Sequence, residues 1–187
     1  MPLWRMAIPV VVAAVLSGCA SFVVPTYSPD YPTIDRLKTS GIDRLAVGEV
    51  QPRDADAPVN RLTLRGAPFT VADGTFATYL EKALRSDLTE LRVLDAAATT
   101  RIDATILQNE LDVSGLSTGL GLLAVKLTVS KKGAPVLEKV YTAKTQFESS
   151  LAAAVAVPKA QSEYPKLVRT LLQTVYTDPA FLAAVKK

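Results

Sequence analysis

The chain has 187 residues, of which 49% are hydrophobic and 21% are charged, and its net charge is +3. This length and composition are typical of one globular domain with a hydrophobic core and exclude a disordered chain. Charges of both signs are scattered along the chain, which argues against nucleic acid as a partner. The sequence contains no histidine, which excludes Ser-His and Cys-His nucleophile pairs and removes the commonest metal ligand.

The first 18 residues have the pattern of a secretory signal peptide. Arg5 supplies a positive charge, and the apolar stretch at 6–16 is too short to span a membrane comfortably. The stretch Leu-Ser-Gly-Cys at 16–19 resembles the lipobox of bacterial lipoproteins. This resemblance implies cleavage before Cys19, the only cysteine, which would then carry a diacylglycerol and an N-acyl chain such as palmitate. The alternative is a buried structural cysteine. No cofactor and no metal are expected.

Residues 19–40 are expected to form a tether between the lipid and the domain. Pro25, Pro29 and Pro32 lie close together among polar residues, and proline at this density favours an extended backbone. The globular domain is therefore predicted to cover residues 41–187.

The first half of the domain is predicted to contain strands and one helix. Residues 42–50 and 61–64 are strand candidates, separated by a polar loop. Residues 75–91 are predicted to be helical because their apolar residues recur at steps of three and four. Asp73 or Thr75 is the expected cap of this helix.

Four strands are predicted next, at 92–95, 101–113, 122–130 and 136–148. The alternation of apolar residues changes phase inside the second of these, which predicts a bulge at 107–109. A turn at 132–134 would join the last two strands.

The chain is predicted to end in two helices. An alanine-rich link at 149–157 precedes a helix at 162–176 with Ser162 as its cap, and a short helix follows at 179–185. These elements predict a single α+β domain, in which an antiparallel β-sheet meander carries two main amphipathic helices on one face.

Two short motifs resemble catalytic ones. The stretch 115–119 matches the G-x-S-x-G nucleophile pattern, but it lies between two strands and the chain lacks histidine, so a hairpin loop is expected instead. Ser130 and Lys131 are adjacent at the predicted hairpin tip, and adjacent residues of a strand would point to opposite faces. The sequence therefore favours a protein that is not an enzyme.

One group of leucines is a candidate partner-binding rim. Leu116, Leu120 and Leu122 lie among glycines in what is predicted to be a mobile loop. In a meander this loop and the apolar segment at 151–157 would meet at one edge of the sheet. Clustered apolar surface is typical of an interaction site. The alternative is that the leucines cap the core.

With these elements placed, the chain resembles small Gram-negative lipoproteins of the YajG type. The matching parts are the lipobox, the helix beginning Phe-Ala-Thr-Tyr-Leu at 76–80, the strand at 101–111 and the Asp-Pro-Ala-Phe-Leu stretch at 178–182. The resemblance implies a membrane-anchored, periplasm-facing module without catalytic residues. The leucine rim adds the hypothesis of a protein partner in the envelope. Because Ala20 and not aspartate follows Cys19, the expected location is the inner leaflet of the outer membrane. A weaker likeness is to auxiliary lipoproteins of lipid-transport ABC systems, which would bind or hand over an acyl ligand.

Overall fold

The computed structural model describes residues 22–72 and 74–187. The strands in these ranges are β1 (Phe22–Val24), β2 (Ala46–Gln51), β3 (Leu62–Leu64), β4 (Ala67–Val71), β5 (Thr100–Asp112), β6 (Thr118–Lys131) and β7 (Ala134–Glu148). The α-helices are α1 (Tyr31–Leu37), α2 (Phe76–Glu90), α3 (Ala153–Thr177) and α4 (Pro179–Val185), and one turn of 3-10 helix covers Pro58–Asn60.

The strands form two sheets, with the orders β2-β5-β6-β7 and β1-β4-β3. β5, β6 and β7 form the predicted antiparallel meander. β2 pairs with β5 in parallel. Parallel neighbours need a long crossover connection, and the connection between these two strands contains α2. The α+β class and the single domain are confirmed. The larger sheet is mixed rather than antiparallel throughout, and the small second sheet differs from the prediction.

The hydrophobic core lies between the larger sheet and helices α2 and α3. Leucines of both helices face alternate residues of β5, β6 and β7. An aromatic cluster adjoins this layer, in which Tyr164 of α3 contacts Phe69, Phe76 and Tyr79 at centroid distances of 5.0 to 5.8 Å. Such ring pairs add stabilisation beyond the area that they bury.

The predicted bulge at 107–109 is confirmed, since the register of β5 against β6 shifts there. The extra residue turns Asn109 to the inner face, where its Oδ1 accepts a hydrogen bond from the Tyr164 hydroxyl at 3.0 Å. The Asn109 Nδ2 donates to the Val59 carbonyl at 2.9 Å. The bulge therefore allows β5 to provide a hydrogen-bond acceptor for the buried Tyr164 hydroxyl, and it leaves Leu107 45% exposed on the surface.

The segment predicted as a tether is instead part of the folded domain. β1 pairs with β4 in parallel, and α1 buries Thr33, Ile34 and Leu37. Pro32 lies at the start of α1, where its missing N–H does not cost a helical hydrogen bond. The prediction was wrong because proline content reports local backbone stiffness and not the apolar residues between the prolines.

Helix α3 begins nine residues before the predicted start. Pro158 and Pro165 both lie inside it, and Ser162 is an internal residue whose hydroxyl donates to the Lys159 carbonyl at 2.8 Å. By contrast α2 agrees with the prediction, with Thr75 as its cap and a reciprocal hydrogen bond pair to Thr78. The predicted strand at 92–95 is only a single bridge between Leu45 and Leu94.

Candidate interaction face

The larger sheet has an outer face, which is the face opposite α2 and α3. β6 runs through its middle, between β5 and β7. Because side chains alternate along a strand, Leu123 points into the core and is 1% exposed, whereas its neighbour Leu122 points outward. Leu120 lies two residues earlier on the same outer face and is 52% exposed.

The two outer leucines lie between charged side chains of opposite sign. Leu122 is paired across the sheet with Glu110 of β5 and Lys144 of β7, and Leu120 is paired with Asp112 of β5. These residues line a shallow surface depression of about 310 Å³. The outer face therefore has an apolar centre with acidic groups on one side and a cation on the other.

Asp112 on the acidic side of this depression is held in its charged form by hydrogen bonds. Asp112 accepts a hydrogen bond from the Ser114 backbone N–H at 2.7 Å, and its hydrogen bonds with Ser114 hold the pKa of its carboxyl below the usual range. Hydrogen bonds to the charged form favour that form. A partner would meet a negative charge beside the leucines.

The structure separates the three leucines of the predicted rim. Leu116 lies in the turn between β5 and β6 and is 74% exposed, whereas Leu120 and Leu122 belong to β6. The predicted mobile loop over all three was wrong because the glycines have a packing role. A Cβ on Gly119 would lie 2.4 Å from the Phe147 ring, and one on Gly121 would lie 3.2 Å from a Leu167 methyl group. Glycine is therefore required here by close approach and not by flexibility.

The predicted loop lies beside the link before α3, and the contact is made at Ser149, two residues before the predicted segment 151–157. The Ser149 N–H donates to the Ser117 carbonyl at 2.9 Å. The link itself is shorter than expected because α3 starts at Ala153, and its Leu151 is 64% exposed.

The structure shows the surroundings of the two catalytic-like motifs, whereas the proposed lipidation site lies outside it. The stretch 115–119 lies between two strands, as expected. Lys131 donates to the Lys186 carbonyl at 2.9 Å, so its ammonium group lies on a backbone oxygen at the end of the chain. Cys19 lies outside the described residues. Within 22–72 and 74–187, no cluster of His, Cys, Asp or Glu is arranged to hold a metal ion.

Sequence reasoning missed a buried carboxylate. Asp87 of α2 is 1% exposed and accepts hydrogen bonds from the hydroxyls of Tyr27 at 3.1 Å and Tyr176 at 3.0 Å. Burial raises the pKa of Asp87 to about 6, while both tyrosine hydrogen bonds act in the opposite direction. The only sequence signal was a charged residue on the apolar side of α2.

The space between the larger sheet and helices α2 and α3 is filled. The gap lined by Leu84, Leu127 and Leu171 measures about 10 Å³. A cavity of about 180 Å³ lies beside Tyr27 and Tyr79, and an open depression of about 550 Å³ lies along β3 and β4. Sites for drug-sized or larger ligands are typically concave spaces of roughly 300 to 1,000 Å³. In the described ranges, no helix is both long and apolar enough to cross a bilayer.

No protein-family model and no curated protein matches the chain. Among solved structures, a Xanthomonas campestris protein of the DUF330 family is similar, with a TM-score of 0.54, 13% identity and coverage of 84% of this chain and 95% of that protein. A lipoprotein candidate from Caulobacter crescentus has a TM-score of 0.45 at 14% identity, over 60% of this chain and 86% of its own. A minor lipoprotein of Acinetobacter baumannii has a TM-score of 0.43 at 18% identity, over 74% and 91%. The first likeness shows a shared fold.

Proposed function

We propose that this protein is a lipid-anchored envelope lipoprotein whose domain is a non-catalytic binding module for a protein partner. The anchor is supported by the sequence at 16–19, where small residues precede the only cysteine. The YajG-type resemblance agrees with this role. Ala20 supports a location in the inner leaflet of the outer membrane, facing the periplasm.

The observation that carries the binding role is the apolar centre of the outer face. The alternation of β6 directs Leu120 and Leu122 away from the core, which leaves Leu120 52% exposed and Leu122 partly exposed. Exposed apolar residues grouped on a regular element are typical of interaction sites. The charges on either side define the partner: an apolar protein surface with a cation opposite Asp112 and Glu110 and an anion opposite Lys144.

This geometry favours a binding module over an acyl carrier. An acyl ligand would need a deep apolar space between helix and sheet. The gap between the larger sheet and the helices measures about 10 Å³, because Leu80, Leu84 and Leu171 and the sheet residues opposite them occupy it. The cavity between α2 and the small sheet measures about 180 Å³, which is below the roughly 300 Å³ at which ligand sites typically begin. The lipid-transport alternative therefore has less structural support than partner binding on the outer face.

Photocrosslinking in intact cells tests this function. A benzophenone amino acid at position 120 should give one discrete protein adduct, and Leu122→Ser should remove it. The matched control is position 128, which lies on the same face of the same strand beyond the leucine pair. Equal adducts from both positions, or lipid adducts alone from position 120, would contradict the proposal.

A melting experiment separates a docking surface from a core cap. We expect Leu120→Ser with Leu122→Ser to change the melting temperature little, because these side chains contribute little to the buried core. Leu123→Ser in the same strand is the control and should cost about 2 to 5 kcal/mol, since Leu123 is 1% exposed. An equally large loss from the double variant would assign these leucines to the core.

A further inference from the structure

The start of the described chain lies close to the proposed anchor. Cys19 precedes Phe22 by three residues, and three extended residues span at most about 11 Å. Phe22 is already paired with Phe69 in the small sheet. Because the 19–40 segment is not a long spacer, the domain itself must lie near the membrane.

The parallel pairing of β1 with β4 shows which end of the domain lies nearest to the proposed anchor. β1 and β4 run in the same direction, so Phe22, the first residue of β1, lies toward the end of the small sheet at which β4 begins. β4 begins directly after the hairpin turn Arg65–Gly66, which joins β3 to β4. The end of β1 that is nearest to Cys19 in sequence is therefore the end that carries this hairpin turn.

The same end carries the most exposed leucines. Arg65 Nη2 donates to the Ser150 carbonyl at 2.9 Å, which places the hairpin turn beside the link before α3. The Ser149 N–H donates to the Ser117 carbonyl, which adds the β5–β6 turn. Leu116 and Leu151 are 74% and 64% exposed, and both lie within one residue of these contacts.

We infer that this end of the domain, with Leu116 and Leu151, rests on the lipid surface of the membrane that holds the Cys19 anchor. The inference rests on the proposed lipidation and adds an orientation to it. A tether of about 11 Å holds the two leucines within reach of the boundary between headgroups and acyl chains, where exposed apolar side chains are favourable. The outer face with Leu120 and Leu122 then stands next to the membrane and points sideways to a protein partner.

The opposite end of the larger sheet provides a built-in control. Val136 is 49% exposed and lies just after the β6–β7 turn. β6 has 14 residues, so the two ends of the sheet are roughly 45 Å apart. An apolar residue at Val136 has similar chemistry to Leu151 but should stay in water.

The experiment uses the mature lipidated protein in vesicles of phosphatidylethanolamine and phosphatidylglycerol. Because Cys19 would be acylated and is the only cysteine, Leu116→Cys, Leu151→Cys and Val136→Cys each supply one free thiol for an environment-sensitive NBD label. We expect lipids with quenchers on their acyl chains to reduce the NBD fluorescence at 116 and 151, with a blue shift, and to leave the label at 136 unchanged.

Two outcomes would overturn the inference and are distinguishable. If the protein sediments with the vesicles but labels at 116 and 151 behave like the label at 136, the anchor stands and the orientation is wrong. If mass spectrometry shows an unacylated Cys19 and the protein does not sediment, the proposed anchor fails and the orientation fails with it. Circular dichroism of each labelled variant confirms that quenching is compared among folded proteins.

Discussion

At the scale of single residues, the most unusual feature is the carboxylate of Asp87. It links three parts of the chain, because Tyr27 precedes α1 and Tyr176 belongs to α3. A buried carboxylate is costly when ionised, and the two tyrosine hydroxyls offset only part of that cost. Asp87 therefore connects the N-terminal segment to the helix layer and makes this connection sensitive to pH.

The pKa of Asp87 determines the direction of this sensitivity. Its folded pKa of about 6 lies above the ordinary value of 3.8, so the folded state binds the proton more tightly than the unfolded state. The resulting stabilisation is fully present below pH 4 and is lost as the pH rises through 6. We expect Asp87→Asn to be more stable relative to the wild type at pH 7.5 than at pH 4, by on the order of 2 kcal/mol.

Urea unfolding at several pH values measures this difference. Asp35→Asn is the control, since Asp35 is on the surface of α1 in an exposed ion pair with Lys38. Its effect should be small at every pH. A pH profile of Asp87→Asn that runs parallel to the wild-type profile would show that Asp87 does not titrate in this range.

At the scale of elements, β1 and α1 decide where the domain begins. The Tyr79 hydroxyl donates to the Pro25 carbonyl at 2.9 Å, and Gln161 Nε2 donates to the Val23 carbonyl at 2.9 Å. Each of α2 and α3 is thus hydrogen bonded to the N-terminal segment. Removing this segment would expose the sides of both helices that it covers.

We predict that a chain beginning at Gly41 is much less stable than one beginning at Ser21. Val24, Ile34 and Leu37 are 3%, 1% and 7% exposed, and burying three such side chains is worth roughly 5 kcal/mol or more. Total stabilities of domains are about 5 to 15 kcal/mol. Thermal melts of the two chains measure the difference, and equal melting temperatures would contradict an integral role of the segment.

A pair of point variants tests the same role without truncation. Ile34→Ala should cost about 2 to 5 kcal/mol because it leaves a cavity under α1. The Tyr31 side chain on the same helix is 54% exposed, so Tyr31→Ala should reduce the free energy of unfolding much less. A similar, small cost for both would show that α1 is only loosely attached.

At the scale of the whole molecule, the anchor and the fold act together. With the proposed lipid at Cys19 and a folded segment from Phe22 onward, no long spacer would separate membrane and domain. The proposed partner must therefore lie close to the same membrane. This arrangement suits a component of the envelope, where a partner is either embedded in the membrane or attached to it.

We predict that Cys19→Ser abolishes acylation and leaves the precursor with its signal peptide. Several acyl chains on one cysteine are expected to give stable attachment, whereas a single chain is reversible. Mass spectrometry of the mature N-terminus measures the modification. A wild-type protein that keeps Met1, or that starts at an unmodified Ala20, would contradict it.

Sorting between the two membranes is predicted to depend on Ala20. Density-gradient fractionation should place the wild-type protein with outer-membrane markers, and Ala20→Asp should shift it to the inner membrane. Ala20→Ser is the control for a change of side chain without charge. Inner-membrane fractionation of the wild type would contradict the proposed location.

The sequence alone determined the features that depend on neighbouring residues. The apolar period of α2 and the alternation in β5, β6 and β7 each report one buried face over a single element. The phase change that predicted the bulge is equally local, and the short helix predicted at 179–185 is α4. A segment with the helical period followed by segments with the alternation of strands was enough to predict an α+β domain.

Only the tertiary structure decided the features that depend on distant partners. β1 is ordered because β4 lies beside it, 47 residues later in sequence from Phe22 to Phe69, and no local period reports such a pairing. The sequence predicted flexibility at Gly119 and Gly121, whereas in the fold the side chains of Phe147 and Leu167 pack against them. Asp87 could be recognised as a buried contact only when Tyr27 and Tyr176 came together around it. Hydrophobic periodicity reports which side of an element is buried, whereas the identity of what buries it is a property of the whole fold.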